Sequence, residues 1–484
     1  MLAAILSTAG LATPARADAP AVSGVRVLAG PAQKITGFGA SGAWWPNDAA
    51  AFSASTQARI EQLLFDPTSG LGLSIYRYNI GGGGVGVQAG ARAPKSFLTA
   101  PGTYNWNDDP GGMAFLMAAH RYGVSRLIGF ANSAPPFYTS NGADCGGSLK
   151  TASVSAYTTY LAAVAAHLRA ADGIALAAIS PMNEPSSTFS SCNQEGMSVA
   201  AAQRATVIRS LAGALATRSP GTMVSADESN SSGSLRLGLN RWISPAVGSV
   251  AFHGYDYPSA AALRTLEGAV RARSSAPLEM SEVCCSTGTG YARGYNPGMV
   301  AGLWLADTIW RNLSAGGVSS FSWWTALSPE LGCAPGTDPS CPAVANTSGW
   351  NDGLLYYDPD FRSDGNESIY FTRRYWTLAN FSRYIRPGAV HYRVTNVPAG
   401  VHVIASLRNT WRFVLINDST AARPVNVTLL PASGGHRYGQ PSAYTTTATS
   451  DLTPAATAPT LDASTRTVTT QLPARSVTTL IVPW

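Results

Sequence analysis

Two glutamates occupy matched settings. The apolar run from Gly173 to Ile179 reads as a buried strand, and it ends in Ser180-Pro181-Met182-Asn183-Glu184-Pro185. Proline cannot continue a ladder, so the strand stops there and leaves the Glu184 carboxylate at its tip. Pro277-Leu278-Glu279-Met280-Ser281-Glu282 repeats the arrangement, with Glu282 closing a short strand before a Cys-, Ser- and Gly-rich stretch. The two are 282 − 184 = 98 residues apart, room for several strand–helix units. Two carboxyls brought to neighbouring strand ends can cleave a glycosidic bond. One protonates the leaving oxygen; the other attacks the sugar or activates water. Glu184 suits the acid/base and Glu282 the nucleophile. Asn183 has an amide for the sugar 2-hydroxyl. The competing reading pairs both carboxylates with arginines and gives them no chemistry.

Other strand ends supply partners. Arg77 and Asn79 close one strand, and Arg77 is expected either to hydrogen-bond Glu282 or to form a rim salt bridge. His253 and Tyr255 alternate with core residues, so both are expected at the mouth, with His253 orienting Glu282. Trp324 offers a stacking surface for the apolar face of a sugar. Asn132 opens the aromatic loop Asn132 to Tyr138. Glu195 lies in the polar loop Cys192 to Gly196, which either reaches a sugar or caps the next helix. Glu228 reads as a structural or substrate hydrogen-bonder rather than a catalyst.

These residues need a scaffold. Strands ending at Gly42, Ile80, Ala131, Ile179, Glu228, Tyr255, Glu282 and Trp324 alternate with helices over 55–65, 113–122, 154–170, 200–218, 261–273, 300–313 and 367–384. That alternation implies a parallel sheet, and eight strands are the count of a closed (β/α)8 TIM barrel with chemistry at its strand C-terminal ends. After Pro387 the texture becomes short alternating strands between Pro, Gly, Ser and Thr, an antiparallel β-sandwich. The early strand at Val25 to Leu28 is expected to join it. The domains read as 1–19 signal peptide, 20–34 N-terminal strand contributing to the sandwich, 35–386 catalytic barrel and 387–484 sandwich.

Composition narrows the function classes. The chain has 484 residues, is 45% hydrophobic and 12% charged, and carries a net charge of +6 with no Lys/Arg run. A spread charge of this size points away from nucleic acid. No run after the first 19 residues is long enough to span a bilayer. Ala15-Arg16-Ala17 is a small-x-small cleavage site after an apolar stretch, although the stretch lacks a basic start. Six cysteines suit an oxidising compartment. Cys333 with Cys341 and Cys145 with Cys192 are expected pairs; adjacent Cys284 and Cys285 read either as a vicinal bridge or as two buried thiols. Gly81 to Gly86 fits G-x-G-x-x-G after a strand, but Val87 to Trp106, rich in Gly, Pro and Asn, does not form the helix a dinucleotide site needs, so that reading fails. The expected partner is a polysaccharide or oligosaccharide substrate, with no cofactor, metal, nucleic acid or membrane, and a monomeric state.

Taken together, Gly37-Phe38-Gly39-Ala40-Ser41-Gly42, Arg77-Tyr78-Asn79-Ile80-Gly81, Pro135-Pro136, Ser180-Pro181-x-Asn183-Glu184-Pro185, His253-x-Tyr255, Ser281-Glu282 and Trp324 resemble glycoside hydrolase family 30. So does the closing stretch Leu472 to Leu480. The resemblance implies a retaining enzyme with Glu184 as acid/base and Glu282 as nucleophile, and the N-terminal stretch with its cleavage site implies secretion. It implies substrate contacts from Arg77, Asn183, His253, Tyr255 and Trp324. Gln194-Glu195-Gly196 and Pro135-Pro136-x-x-Thr139-x-Asn141-Gly142 are most similar to the endo-β-1,6-galactanase members, which act on galactan side chains of arabinogalactan. Met197 stands where several such members carry Cys, and Tyr138 where a Trp is common.

Overall fold

The structure, a computed structural model, describes residues 24–288, 290, 294–432 and 437–484. The expected signal peptide lies outside the described residues.

Eight parallel strands close into a barrel in chain order: Gly37–Gly42, Ile75–Asn79, Arg126–Phe130, Ala178–Ser180, Met223–Ser229, Val247–His253, Leu278–Glu282 and Ser320–Trp323. Closure comes from the eighth strand pairing with the first, Ser320 opposite Gly37 through Trp323 opposite Ala40. Every residue of the second strand, Ile-Tyr-Arg-Tyr-Asn, is buried, as a strand covered on both faces requires. Ile75, Ile128 and Ala178 form a small packed group of their own on three successive strands.

The helices lie between the strands. Ala54–Phe65 starts at a Ser53 hydroxyl that accepts the N–H of Thr56, and it buries Ile60, Leu63, Leu64 and Phe65. Ser232–Trp242, a helix the sequence does not announce, follows the fifth strand and buries Leu235, Leu239 and Trp242. The stretch expected as helix over 367–384 begins instead with strand Ile369–Phe371 and is helical only over Arg373–Ser382. That strand completes a three-stranded sheet with Thr325–Ser328 and Gly353–Tyr357.

The second sheet has ten strands, Gly24–Lys34 among them. It is antiparallel except where Gly24–Lys34 runs parallel to Arg423–Thr428. Strand Thr467–Leu472 comes close to Trp411–Asn417 and Ser476–Val482, so the sheet folds over one core. Val25, Val403, Trp411, Phe413, Val427, Val468 and Leu480 fill it. The alternating burial of Val401–Leu407 and Thr467–Leu472 gives the inward-facing set.

Candidate active site

Strand ends place the charged groups. Glu282 is the last residue of the seventh strand. Glu184 follows the fourth strand through Pro181, and its φ of 43° lies in the left-handed region. Glu228, on the fifth strand, has φ 58°. The N–H of Glu184 donates to the carbonyl of Glu228 at 2.9 Å. Two non-glycine residues in this region cost about 1–3 kcal/mol each, tolerated where packing over-determines them. Here the sharp turns bring both side chains to one end of the barrel.

Arg77 is buried and holds the cluster together. Its Nη1 donates to Glu282 Oε2 at 2.9 Å and to Ser41 Oγ at 2.9 Å, and its Nη2 lies 3.6 Å from Glu228 Oε2. The Phe130 ring lies 4.3 Å from its guanidinium carbon. The Tyr255 hydroxyl donates to Glu282 Oε1 at 3.0 Å. Both oxygens of Glu282 are therefore held, and its side chain is 5% exposed. Glu184 is the more open carboxylate at 16%. Its Oε2 accepts from Ser187 at 3.2 Å, a contact the sequence did not signal.

His253 sits among three carboxylates. Nδ1 is 3.0 Å from Glu184 Oε1 and 3.4 Å from Glu282 Oε1, and Nε2 is 3.0 Å from Glu228 Oε2. Burial opposes the ring's charge most strongly, but Glu282, Glu184 and Glu228 together overcome it and lift its pKa to about 10. For Glu228 burial again opposes charge; Arg77, His253 and Ser281 outweigh it and hold its carboxyl at about 2. The protonated His253 therefore stabilises the fold fully below its ordinary 6.5, and that contribution is lost as pH climbs through about 10. Glu228 has the opposite sign: its contribution is present above 4.5 and lost as pH falls through about 2.

Glu184, His253 and Glu282 each offer an atom within 4.8 Å of the others, the sole such set of three His, Cys, Asp or Glu among the described residues. One oxygen of Glu184 therefore lies within 4.8 Å of one oxygen of Glu282; double-displacement glycosidases hold their two carboxyl groups about 5–5.5 Å apart and inverting ones about 6.5–9.5 Å.

Trp324 connects the cluster to an open groove. Its N–H donates to the Val283 carbonyl at 3.0 Å, next to Glu282. It lines an open groove with Trp44, Trp350, Arg92, Glu330, Asn193 and Gln194. Arg92 is fixed there by the Asp48 carboxylate at 2.6 Å. Asn183 is buried near the mouth, and its Oδ1 has no protein partner. Asn132 is also buried and donates to Asn79 Oδ1 at 3.1 Å.

The expected substrate contact at Glu195 needs correction. Glu195 is fully buried, and its Oε1 accepts the N–H groups of Gly82, Gly83 and Gly84 at 3.2, 3.1 and 3.1 Å. Asp144 Oδ2 accepts from Val85 at 2.8 Å. The glycine loop that mimics a phosphate cradle thus binds the protein's own carboxylates. A Cβ on Gly81 would collide with the Pro94 carbonyl oxygen. The neighbours Asn193 and Gln194, not Glu195, face the groove. Burial, then Asp144, raises the Glu195 pKa to about 8 against the three N–H groups. The folded chain therefore favours the protonated acid, and this contribution is lost as pH rises from 4.5 through about 8. Glu195→Gln keeps the acceptor oxygen and removes the charge. Its Tm at pH about 8.5 is expected to exceed that of the parent by about 1–3 °C, with no gain at pH about 5. Melting curves at both values check this; an equal shift at both would refute it.

Residues 24–240 match the family model described as O-Glycosyl hydrolase family 30. The fold is similar to that of a conserved exported protein from Bacteroides fragilis, with TM-score 0.76, 22% identity, and 95% of this chain and 100% of that one covered. The catalytic domain of GH30 xylanase C from Talaromyces cellulolyticus gives TM-score 0.70, 22% identity and the same coverages. An endo-β-1,6-glucanase gives TM-score 0.67 at 16% identity, with 96% of each chain covered.

Disulfides join Cys145 to Cys192, Cys284 to Cys285 and Cys333 to Cys341, which resolves the two readings of the adjacent pair. Among the described residues no helix is long and apolar enough to cross a membrane.

Proposed function

We propose that this protein is a secreted, retaining glycoside hydrolase that cleaves β-1,6-galactosidic linkages in the galactan side chains of arabinogalactan. The observation that carries the chemistry is the approach of Glu184 and Glu282 to within 4.8 Å at one barrel mouth. Glu282, gripped by Arg77 and Tyr255, attacks the anomeric carbon while Glu184 protonates the departing oxygen. Water then enters from the side of Glu184, which takes its proton as the glycosyl–Glu282 ester breaks. Exposure supports the assignment. Glu184 is the more solvent-facing of the two candidate reactants, while Arg77 pairs with Glu282.

Support for the sugar comes from the loop resemblance, whose Gln194 lines the groove. An open groove also suits an internal stretch of polymer. The same chemistry on β-1,6-glucan or xylan is the second reading, favoured by the named activities of two structural neighbours. Incubation with de-arabinosylated arabinogalactan, β-1,6-glucan and xylan separates them. Short β-1,6-galacto-oligosaccharides are expected from the first alone. Release from xylan or glucan without release from the galactan would replace the substrate and leave the mechanism standing.

A further inference from the structure

The stretch just beyond Glu282 is tied down more completely than a strand end requires. Five successive carbonyls each meet a donor from another part of the chain. Glu282 accepts from the Gly254 N–H at 2.8 Å and Val283 from the Trp324 N–H at 3.0 Å. Cys284 and Cys285 share the Tyr257 hydroxyl at 3.1 and 3.4 Å, and Ser286 accepts from Asn351 Nδ2 at 3.3 Å. Within this stretch the adjacent Cys284 and Cys285 are bonded to each other and buried. Cys285 holds a φ of 67°, in the left-handed region that a non-glycine residue avoids. An S–S bond between neighbours closes a small ring around one peptide unit and fixes how its carbonyls point. Here those carbonyls receive Tyr257, while the carbonyl one residue earlier receives the backbone of Trp324.

We propose that the Cys284–Cys285 bridge is a positioning element for the reaction, locking the turn that aims the Glu282 carboxylate and seats the Trp324 indole at the groove. The inference rests on the glycosidase reading above. Opening the ring frees the peptide to rotate, Tyr257 loses its shared acceptors, and the nucleophile and stacking ring lose their common anchor. Misplacement of a reacting group by about 1 Å costs about 100-fold in rate without unfolding the protein.

Covalent trapping reads this step directly. The probes are 2-deoxy-2-fluoro β-1,6-galactobiosyl fluoride and its glucosyl and xylosyl counterparts, which capture the attacking carboxylate. Cys284→Ser/Cys285→Ser is compared with the parent and with Cys333→Ser/Cys341→Ser, which removes the bridge of the 333–341 loop instead. The inactivation rate constant is expected to fall about 10- to 100-fold in the first variant, with the half-saturating probe concentration within about threefold and the second variant unchanged. Equal trapping rates in all three proteins would overturn the proposal.

If the serine pair does not fold, the parent enzyme is titrated with dithiothreitol. Each reagent molecule gives two electrons and two protons, opens the bridge to two thiols and closes into its own cyclic disulfide. Trapping is expected to decline in step with alkylation of Cys284 and Cys285, and a decline that tracks Cys145 or Cys333 instead would refute the assignment. A parent enzyme that none of the three probes labels would remove the glycosidase reading and this proposal with it. Labelling of the parent with no effect of the bridge removes this proposal alone.

Discussion

Glu282→Gln is expected to lower kcat by about 10⁴-fold or more while the fold persists, because an amide cannot form the glycosyl ester on which turnover depends. Glutamine is the informative replacement. It keeps an oxygen for the Nη1 of Arg77 or the hydroxyl of Tyr255, both of which contact Glu282 in the parent. Alanine would leave the buried Arg77 without that partner, and removing one member of a buried pair costs about 3–5 kcal/mol, so lost activity would be confounded with lost structure. Arg77 also keeps its neighbour Glu228 at 3.6 Å in either variant. Activity on an aryl glycoside and a melting curve together check the expectation. A Glu282→Gln protein that turns over at the parental rate would mean that the nucleophile is another group.

Much of this site is legible in the residues because strand ends carry punctuation. Pro181 and Pro185 bracket Asn183 and Glu184, and period-two alternation puts His253 and Tyr255 on one side of the chain. The contact of Arg77 with Glu282 follows from which strand tips a closed barrel brings together. What escapes is the set of partners chosen by packing. Glu195 sits in a polar Gln-Glu-Gly loop that looks solvent-facing, yet the N–H groups of Gly82 to Gly84 claim its carboxylate. The run of glycines was the available signal, since glycines in succession leave backbone donors uncovered. Glu228 reads as secondary because a lone carboxylate at a strand end has no visible partner; folding places it under His253, Ser281 and Arg77 at once. The helix Ser232–Trp242 is hidden by its glycines and serines, which act as breaker signals until Leu235, Leu239 and Trp242 find the core. The parallel pairing of Gly24–Lys34 with Arg423–Thr428 spans nearly the whole chain, and no local pattern encodes it.

Glu184→Ala should separate the two halves of the reaction. Without a proton donor, polysaccharide cleavage is expected to fall by about 10²–10⁴-fold, the usual worth of general acid catalysis. An aryl glycoside whose leaving group needs no proton should still form the glycosyl–Glu282 ester, because Arg77 and Tyr255 continue to hold the nucleophile. Hydrolysis then stalls, since no base remains to activate water. Azide needs no base, and truncation at Glu184 opens space beside His253 Nδ1, which lies 3.0 Å from the carboxylate being removed. Glu228 still faces His253 Nε2 at 3.0 Å and favours the charged ring, which adds local attraction for the anion. Turnover of the aryl glycoside is therefore expected to recover with azide concentration and to yield a β-glycosyl azide of retained configuration, identified by NMR. An α-glycosyl azide would mean a single displacement with no covalent ester, and the short Glu184–Glu282 separation would then need a different explanation. Absence of rescue together with loss of covalent trapping would place Glu184 in the architecture of the site rather than in proton transfer.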